Sequence, residues 1–135
     1  FGAILMKKAE TAYQVVEAMQ QQAPPGIPIS VKCRVGVDDW DSLEFITEFV
    51  EYLRPVCKNF YLHARKCVLN GLMNAKQNRS IPPLNFPRVY EICNLFPDCN
   101  FWINGGIRTL DHAKAICFGT SESPPENGCH QVPCL

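Results

Sequence analysis

Along this chain, apolar residues recur first at helical and then at strand spacing, and the alternation repeats. Between Thr11 and Gln22, the residues Ala12, Val15, Val16 and Met19 fall at spacings of one, three and four, which predicts a helix with one apolar face. Pro24-Pro25-Gly26 ends it, and Ile29-Ser30-Val31-Lys32-Cys33 reads as a short strand rich in β-branched residues. A second helix carries Leu43, Ile46, Phe49, Val50 and Leu53, with Asp41 expected as its cap and Glu44 as the reciprocal partner in a capping box. Asn59-Phe60-Tyr61-Leu62 predicts a second strand. Pro87 is placed to open a helix containing Val89, Ile92, Cys93 and Phe96. Phe101-Trp102-Ile103 predicts the third strand, and Thr109 caps a last helix with Leu110, Ala113 and Ile116.

Short strands separated by helices describe βα units with parallel strands, an α/β fold. A (β/α)₈ barrel and a doubly wound sheet both fit this order. A whole barrel takes about 250 residues, so three strands in a chain of 135 residues read as half of one. From Gly119 onward the stretch GTSESPPENGCHQVPCL has no apolar periodicity. The expected organisation is therefore an α/β unit over 1–118 and an irregular tail over 119–135.

Composition narrows the class. An apolar fraction of 47% suits a globular core, and 13 basic residues against 13 acidic ones neither favour nor exclude a nucleic-acid partner. Such a partner would need a local basic cluster. No apolar run reaches the roughly 18 residues of a membrane span, and FGAILMKKAE does not have the form of a signal peptide. The eight cysteines are scattered, several within apolar runs, and form no CxxC pair. They are expected to be reduced thiols of an intracellular, cytoplasmic protein. Cys129, His130 and Cys134 lack the paired spacing of a zinc site, so no metal is expected.

Three polar phrases stand at the C-terminal ends of the predicted strands, the edge where parallel barrels build their sites. In VKCR, alternation puts Lys32 opposite Val31 and Cys33, with Arg34 at the rim. A buried Lys32 needs an anionic or electron-rich partner, whereas at a sheet edge it needs none. HARK, directly after the strand ending at Leu62, offers His63 to orient a ring or serve as a structural histidine, with Arg65 and Lys66 adding charge. In INGGI, Asn104 is polar, and Gly105-Gly106 either let backbone N–H groups approach a phosphate or form a plain turn. The connection from Cys67 to Phe86 is long for a routine loop and carries Lys76, Asn78 and Arg79. It suits either a phosphate-bearing polymer or solvent.

In order, the phrases FGAILMK, VKCRVGVDDWDS, FYLHARKCVLNGL, NRSIPPLNFPRVY and FWINGGI resemble the A-type tRNA-dihydrouridine synthases over residues 1 to about 118. The resemblance implies an FMN-dependent TIM (β/α)₈ barrel, here about half of it, that reduces tRNA uridine to 5,6-dihydrouridine with NADPH as reductant. It implies that Lys32 contacts the flavin ring, that His63 helps hold FMN, and that Asn104, Gly105 and Gly106 form part of its phosphate site. It places Arg65, Lys76, Gln77, Asn78 and Arg79 on the tRNA side, with no membrane partner. In the family, a cysteine in an Asn-x-Gly-Cys-Pro phrase upstream of the FGA segment protonates the uracil ring. None of the eight cysteines here sits in such a phrase, and none is assigned that role. The family's Gly-Arg phrase after the INGG strand also has no counterpart in 119–135. The chain is thus expected to be an internal piece of a longer enzyme, inactive and weak in FMN binding by itself. The alternatives are another FMN-dependent barrel oxidoreductase, or a non-enzymatic RNA-binding or nonfunctional fragment.

Overall fold

The computed structural model describes residues 2–70, 74, 76–80 and 82–118, with only the backbone of Arg79 and Ser80. The expected irregular tail, with its Cys129, His130 and Cys134, lies outside the described residues. A 3-10 helix, Gly2–Lys7, leads into α1 (Ala9–Gln22), β1 (Val31–Val37), α2 (Leu43–Leu53) and β2 (Asn59–Cys67). The short α3 (Gln77–Ser80), α4 (Phe86–Leu95), β3 (Asn100–Asn104) and α5 (Leu110–Phe118) follow. The three strands form one parallel sheet in the order β1-β2-β3, joined through α2 and α4 as the βα pattern predicts.

Period-2 alternation divides the sheet into two faces. Val35 and Val37 of β1, Phe60, Leu62 and Ala64 of β2, and Phe101 and Ile103 of β3 all turn toward the helices and are buried. They meet Ile46, Phe49, Val50 and Leu53 of α2 and Val89, Ile92 and Cys93 of α4 in one core. Phe60 and Phe101, neighbours in register, stack with ring centroids 5.6 Å apart. This single apolar layer is what makes the helices pack; it leaves the opposite face of the sheet to polar and aromatic residues.

Several boundaries differ from the sequence pattern, each for a tertiary reason. β1 starts at Val31 rather than Ile29 and runs on to Val37; β2 continues past Leu62 to Cys67. Each strand supplies the other's partners beyond the apolar run, with Gly36 opposite Lys66 and Val37 opposite Cys67. HARK therefore lies inside β2 rather than after it. Ser42, not Asp41, caps α2, its hydroxyl accepting from Phe45 N at 3.2 Å, while the Asp41 carboxylate pairs with Lys66 at 3.0 Å. Thr109 accepts from His112 N as expected, and α4 opens around Pro87 with Asn85, which the sequence pattern did not single out, as its cap, accepting from Arg88 N.

Among the described residues, no helix is long and apolar enough to cross a membrane, and no cluster of His, Cys, Asp and Glu could hold a metal ion. Phe60→Ala is expected to destabilise the protein by about 3–5 kcal/mol, since it empties the centre of the helix-facing layer. Tyr61→Ala, on the other face, should cost less. Urea unfolding midpoints of the two variants check the ordering.

Candidate functional site

The sheet face turned away from the helices is ordered by register. Lys32, Tyr61 and Trp102 form one row across the three strands, and Arg34, His63 and Asn104 form the next. Tyr61 and Trp102 stack nearly parallel, with centroids 4.7 Å apart and a 14° interplanar angle. The Lys32 ammonium reaches from its own row to the Asn104 side chain, donating to Oδ1 at 3.2 Å. His63 is buried, and the backbone of Gly105, at φ +106°, lies against its ring, where any Cβ would overlap the imidazole. Gly106, at φ +73°, packs in the same way on Leu84. The two glycines are therefore required by close packing on His63 and Leu84 and by positive φ, independently of any phosphate.

Between the pairs Arg34–His63 and Gly36–Lys66, β1 advances two residues and β2 three, a bulge in β2. At this irregularity the backbone of Ala64 accepts from Asn85 N at 2.7 Å, and the Arg65 guanidinium donates to the Pro82 carbonyl. The connection after β2 is thus fastened at its far end.

Its near end is fastened more heavily. Asp38 closes a two-residue turn between Val37 and Trp40, whose backbones exchange hydrogen bonds of 2.9 Å each, and it adopts a left-handed φ of 54°. Its buried carboxylate accepts from Leu69 N at 2.6 Å, Asn70 N at 2.9 Å and the Lys7 ammonium at 2.8 Å. The Asn78 amide pairs with the backbone of Val68 through both ends, accepting from its N–H at 2.7 Å and donating to its carbonyl at 2.8 Å. Arg34 then donates to the Asn78 carbonyl at 3.0 Å. Asn74 and Gln77 cap one another across the start of α3, each side-chain oxygen accepting from the other's N–H at 2.9 Å.

Two cavities flank the sheet. One, of about 410 Å³, lies along β1 and is lined by Leu5 and Met6 of the 3-10 helix, Val16, Phe49, Lys32 and Arg34 among others. A smaller one, of about 300 Å³, is lined by Val35, Asp41, Lys66, Pro83, Asn85 and Arg88.

Electrostatics assign distinct roles. Burial alone would raise the Asp38 carboxyl, but the Lys7 ammonium and the two backbone N–H groups outweigh it and hold it below the ordinary value. Burial pushes the Cys33 thiol up to about 12, against the opposing charge of Lys32. Cys33 is thus a protonated hydrophobe turned toward the helices, not a proton donor at the polar face. Cys57 and Cys99 are likewise raised, mainly by burial.

The structure brings Lys32, His63, Asn104 and Gly105 together on the face turned away from the helices, but of these strand residues only Asn104 ends its strand: Lys32, exposed, is the second residue of β1, and His63 is in the middle of β2. Gly106 is beside them against Leu84. Of the residues expected on the polymer side, Lys76 is exposed, whereas Arg65, Gln77 and Asn78 are engaged in holding the connection. Arg79 lies in α3, and its side chain is outside the described residues. Sequence reasoning did not single out Asp38 or Lys7. The only local signal was an aspartate pair in a turn, VDDW, since left-handed backbone favours Asp and Asn among residues with a side chain.

A family model described as Dihydrouridine synthase (Dus) matches residues 1–122. A tRNA-dihydrouridine(20/20a) synthase of Pasteurella multocida is 48% identical over 115 residues, covering 84% of this chain and 34% of that protein. The proteins of the same name from Haemophilus ducreyi and Vibrio cholerae are 43% and 44% identical, over 84% of the chain in each case and 34% and 35% of their own lengths. The chain spans about a third of the length of the curated relatives it matches.

Asp38 makes acid stability testable. Its folded-state carboxyl titrates below its ordinary value of 3.8, so its contribution is complete above that value and is lost as pH falls through the folded one. The difference in thermal midpoint between the wild type and Asp38→Asn should be full at pH 6 and shrink below about pH 4. A difference that stays constant down to pH 2 would contradict this assignment.

Proposed function

The chain belongs to the dihydrouridine synthase family, and on that premise we propose that it forms the flavin- and RNA-facing part of a tRNA-dihydrouridine synthase. The reaction in this reading is reduction of tRNA uridine to 5,6-dihydrouridine, with FMN as cofactor and NADPH as reductant. The three parallel strands are then one part of a (β/α)₈ barrel. β1 and β3 are the two edges of the described sheet, and the polar face is the barrel interior.

One observation carries the reading: Lys32, His63, Asn104 and the Gly105 backbone, from three adjacent parallel strands and the turn after β3, converge on the sheet face turned away from the helices. That donor set fits a flavin mononucleotide. The ammonium of Lys32, set by its 3.2 Å bond to Asn104, suits the electron-rich edge of an isoalloxazine ring. Asn104 and the backbone of Gly105-Gly106 suit the polar ribityl-phosphate chain, and the His63 imidazole is locked in place by Gly105. A bound reduced flavin would supply hydride to the C5–C6 bond of the uracil.

The chain's own residues bind and orient. Lys32 stabilises negative charge on the polar face, and His63 presents a fixed ring nitrogen. The stacked Tyr61 and Trp102 share the row of Lys32 and form an aromatic floor beside the row of His63 and Asn104. Lys76, exposed on the long connection, supplies charge for tRNA phosphates; Gln77, Asn78 and Arg79 belong to the same segment, and Arg65 lies just before it in β2. A target base has to leave its stack to reach the strand ends, as base-modifying enzymes require. Cys33, Cys57, Cys67, Cys93 and Cys99 are free thiols, as a reducing, cytoplasmic setting requires, whereas Cys117 is disulfide-bonded and departs from the expectation that all eight cysteines are reduced.

A segment exchange tests this. Residues 1–118 replace the matching segment of the Pasteurella multocida relative, and dihydrouridine in tRNA is measured. The chimera should keep its activity within about tenfold, a barrier change of about 1.4 kcal/mol. Lys32→Met within it should lower turnover by at least about tenfold more and weaken FMN binding read by flavin fluorescence. A folded chimera that binds FMN yet leaves tRNA uridine unreduced would falsify the reading.

A further inference from the structure

We propose that Asp38 is a positioning residue that couples the two sides of the site, holding the RNA-side connection in register with the segment that borders the Lys32 cavity. The proposal rests on the reading above and extends it to a residue outside the expected site.

The geometry is specific. One carboxylate joins three segments distant in sequence: its own turn after β1, Lys7 at the end of the 3-10 helix, and the backbone of Leu69 and Asn70 directly after β2. The 3-10 helix contributes Gly2, Ala3, Leu5 and Met6 to the cavity that also contains Lys32. The Leu69–Asn70 backbone begins the connection that carries Lys76. The carboxylate side chain of Asp38 is only 5% exposed. Its backbone N–H adds a further bond to the Cys67 carbonyl at 2.7 Å.

A buried carboxylate that accepts from two backbone N–H groups and one ammonium uses most of its acceptor capacity, and charge-assisted bonds of this kind are the stronger ones. The arrangement is directional. Shifting the start of the connection would leave a buried charge with an ammonium alone. Asn78 completes the fastening ten residues later by pairing with Val68, and Arg34 attaches that point to β1. Asn78 is therefore a second positioning residue, since both ends of its amide are occupied by Val68. Lys76, exposed on the same connection, is displayed by a segment whose start Asp38 sets.

The left-handed backbone of Asp38 dictates the variants. Asp38→Gly keeps that conformation without strain and removes the carboxylate. Asp38→Asn keeps the conformation and an acceptor for the two N–H groups but removes the charge facing Lys7. In the chimera described above, Asp38→Gly is expected to raise KM for tRNA about tenfold with kcat reduced less than threefold. It should also speed trypsin cleavage after Lys76 at least about fivefold. Asp38→Asn should fall between Asp38→Gly and the wild type on both readouts, and Lys7→Met should leave cleavage after Lys76 within about twofold of the wild type. A merely structural role predicts parallel loss of soluble protein and of both kinetic constants, and that result overturns the proposal. Unchanged KM and unchanged cleavage in folded Asp38→Gly also overturn it, and leave the proposed function standing. A wild-type protein that reduces no tRNA overturns the proposed function and this proposal together.

Discussion

Parallel register between three strands is the constraint on which the rest of this structure depends. Because β1, β2 and β3 run the same way and align Arg34 with His63 and His63 with Asn104, their polar residues fall in rows across one face of the sheet. The same register puts Phe60 beside Phe101 on the helix face. One alternation thus builds the core and the site at once. A slip of one residue would exchange the two faces, placing Lys32 and His63 among the helices and Cys33 and Leu62 outside.

The long connection after β2 shows how polar chemistry can serve architecture. It is fastened by Asp38, by both ends of the Asn78 amide, by Arg34 and by Arg65. Basic and amide side chains that look available in a linear sequence are spent on backbone groups that would otherwise lack partners near a buried edge. The segment is a continuation of the strand ends. Fewer of its polar side chains therefore face outward than its composition suggests.

The glycine pair after β3 makes a related point. Gly105-Gly106 is readable from sequence as a place for close backbone approach, and close approach is what occurs. The nearest partners are the His63 ring and Leu84. A glycine can serve packing and cofactor access together, since both depend on the missing Cβ. His63 gains a fixed orientation from the same contact.

Read by itself, the sequence determined the order of elements, the two faces of each strand, the opening of α4 around Pro87, the cap at Thr109, and the ordered phrases by which the family is recognised. These follow from local propensity and period, which each segment carries without its neighbours. Only tertiary structure decided where β1 and β2 end, because their last pairs, Gly36–Lys66 and Val37–Cys67, exist solely through each other. It also moved the cap of α2 from Asp41 to Ser42, since Asp41 is drawn to Lys66. Above all, it chose Asp38 over its neighbour Asp39 as the joint between three distant segments. Both are aspartates in one turn, and only burial and long-range partners distinguish them, neither of which is encoded within the turn itself.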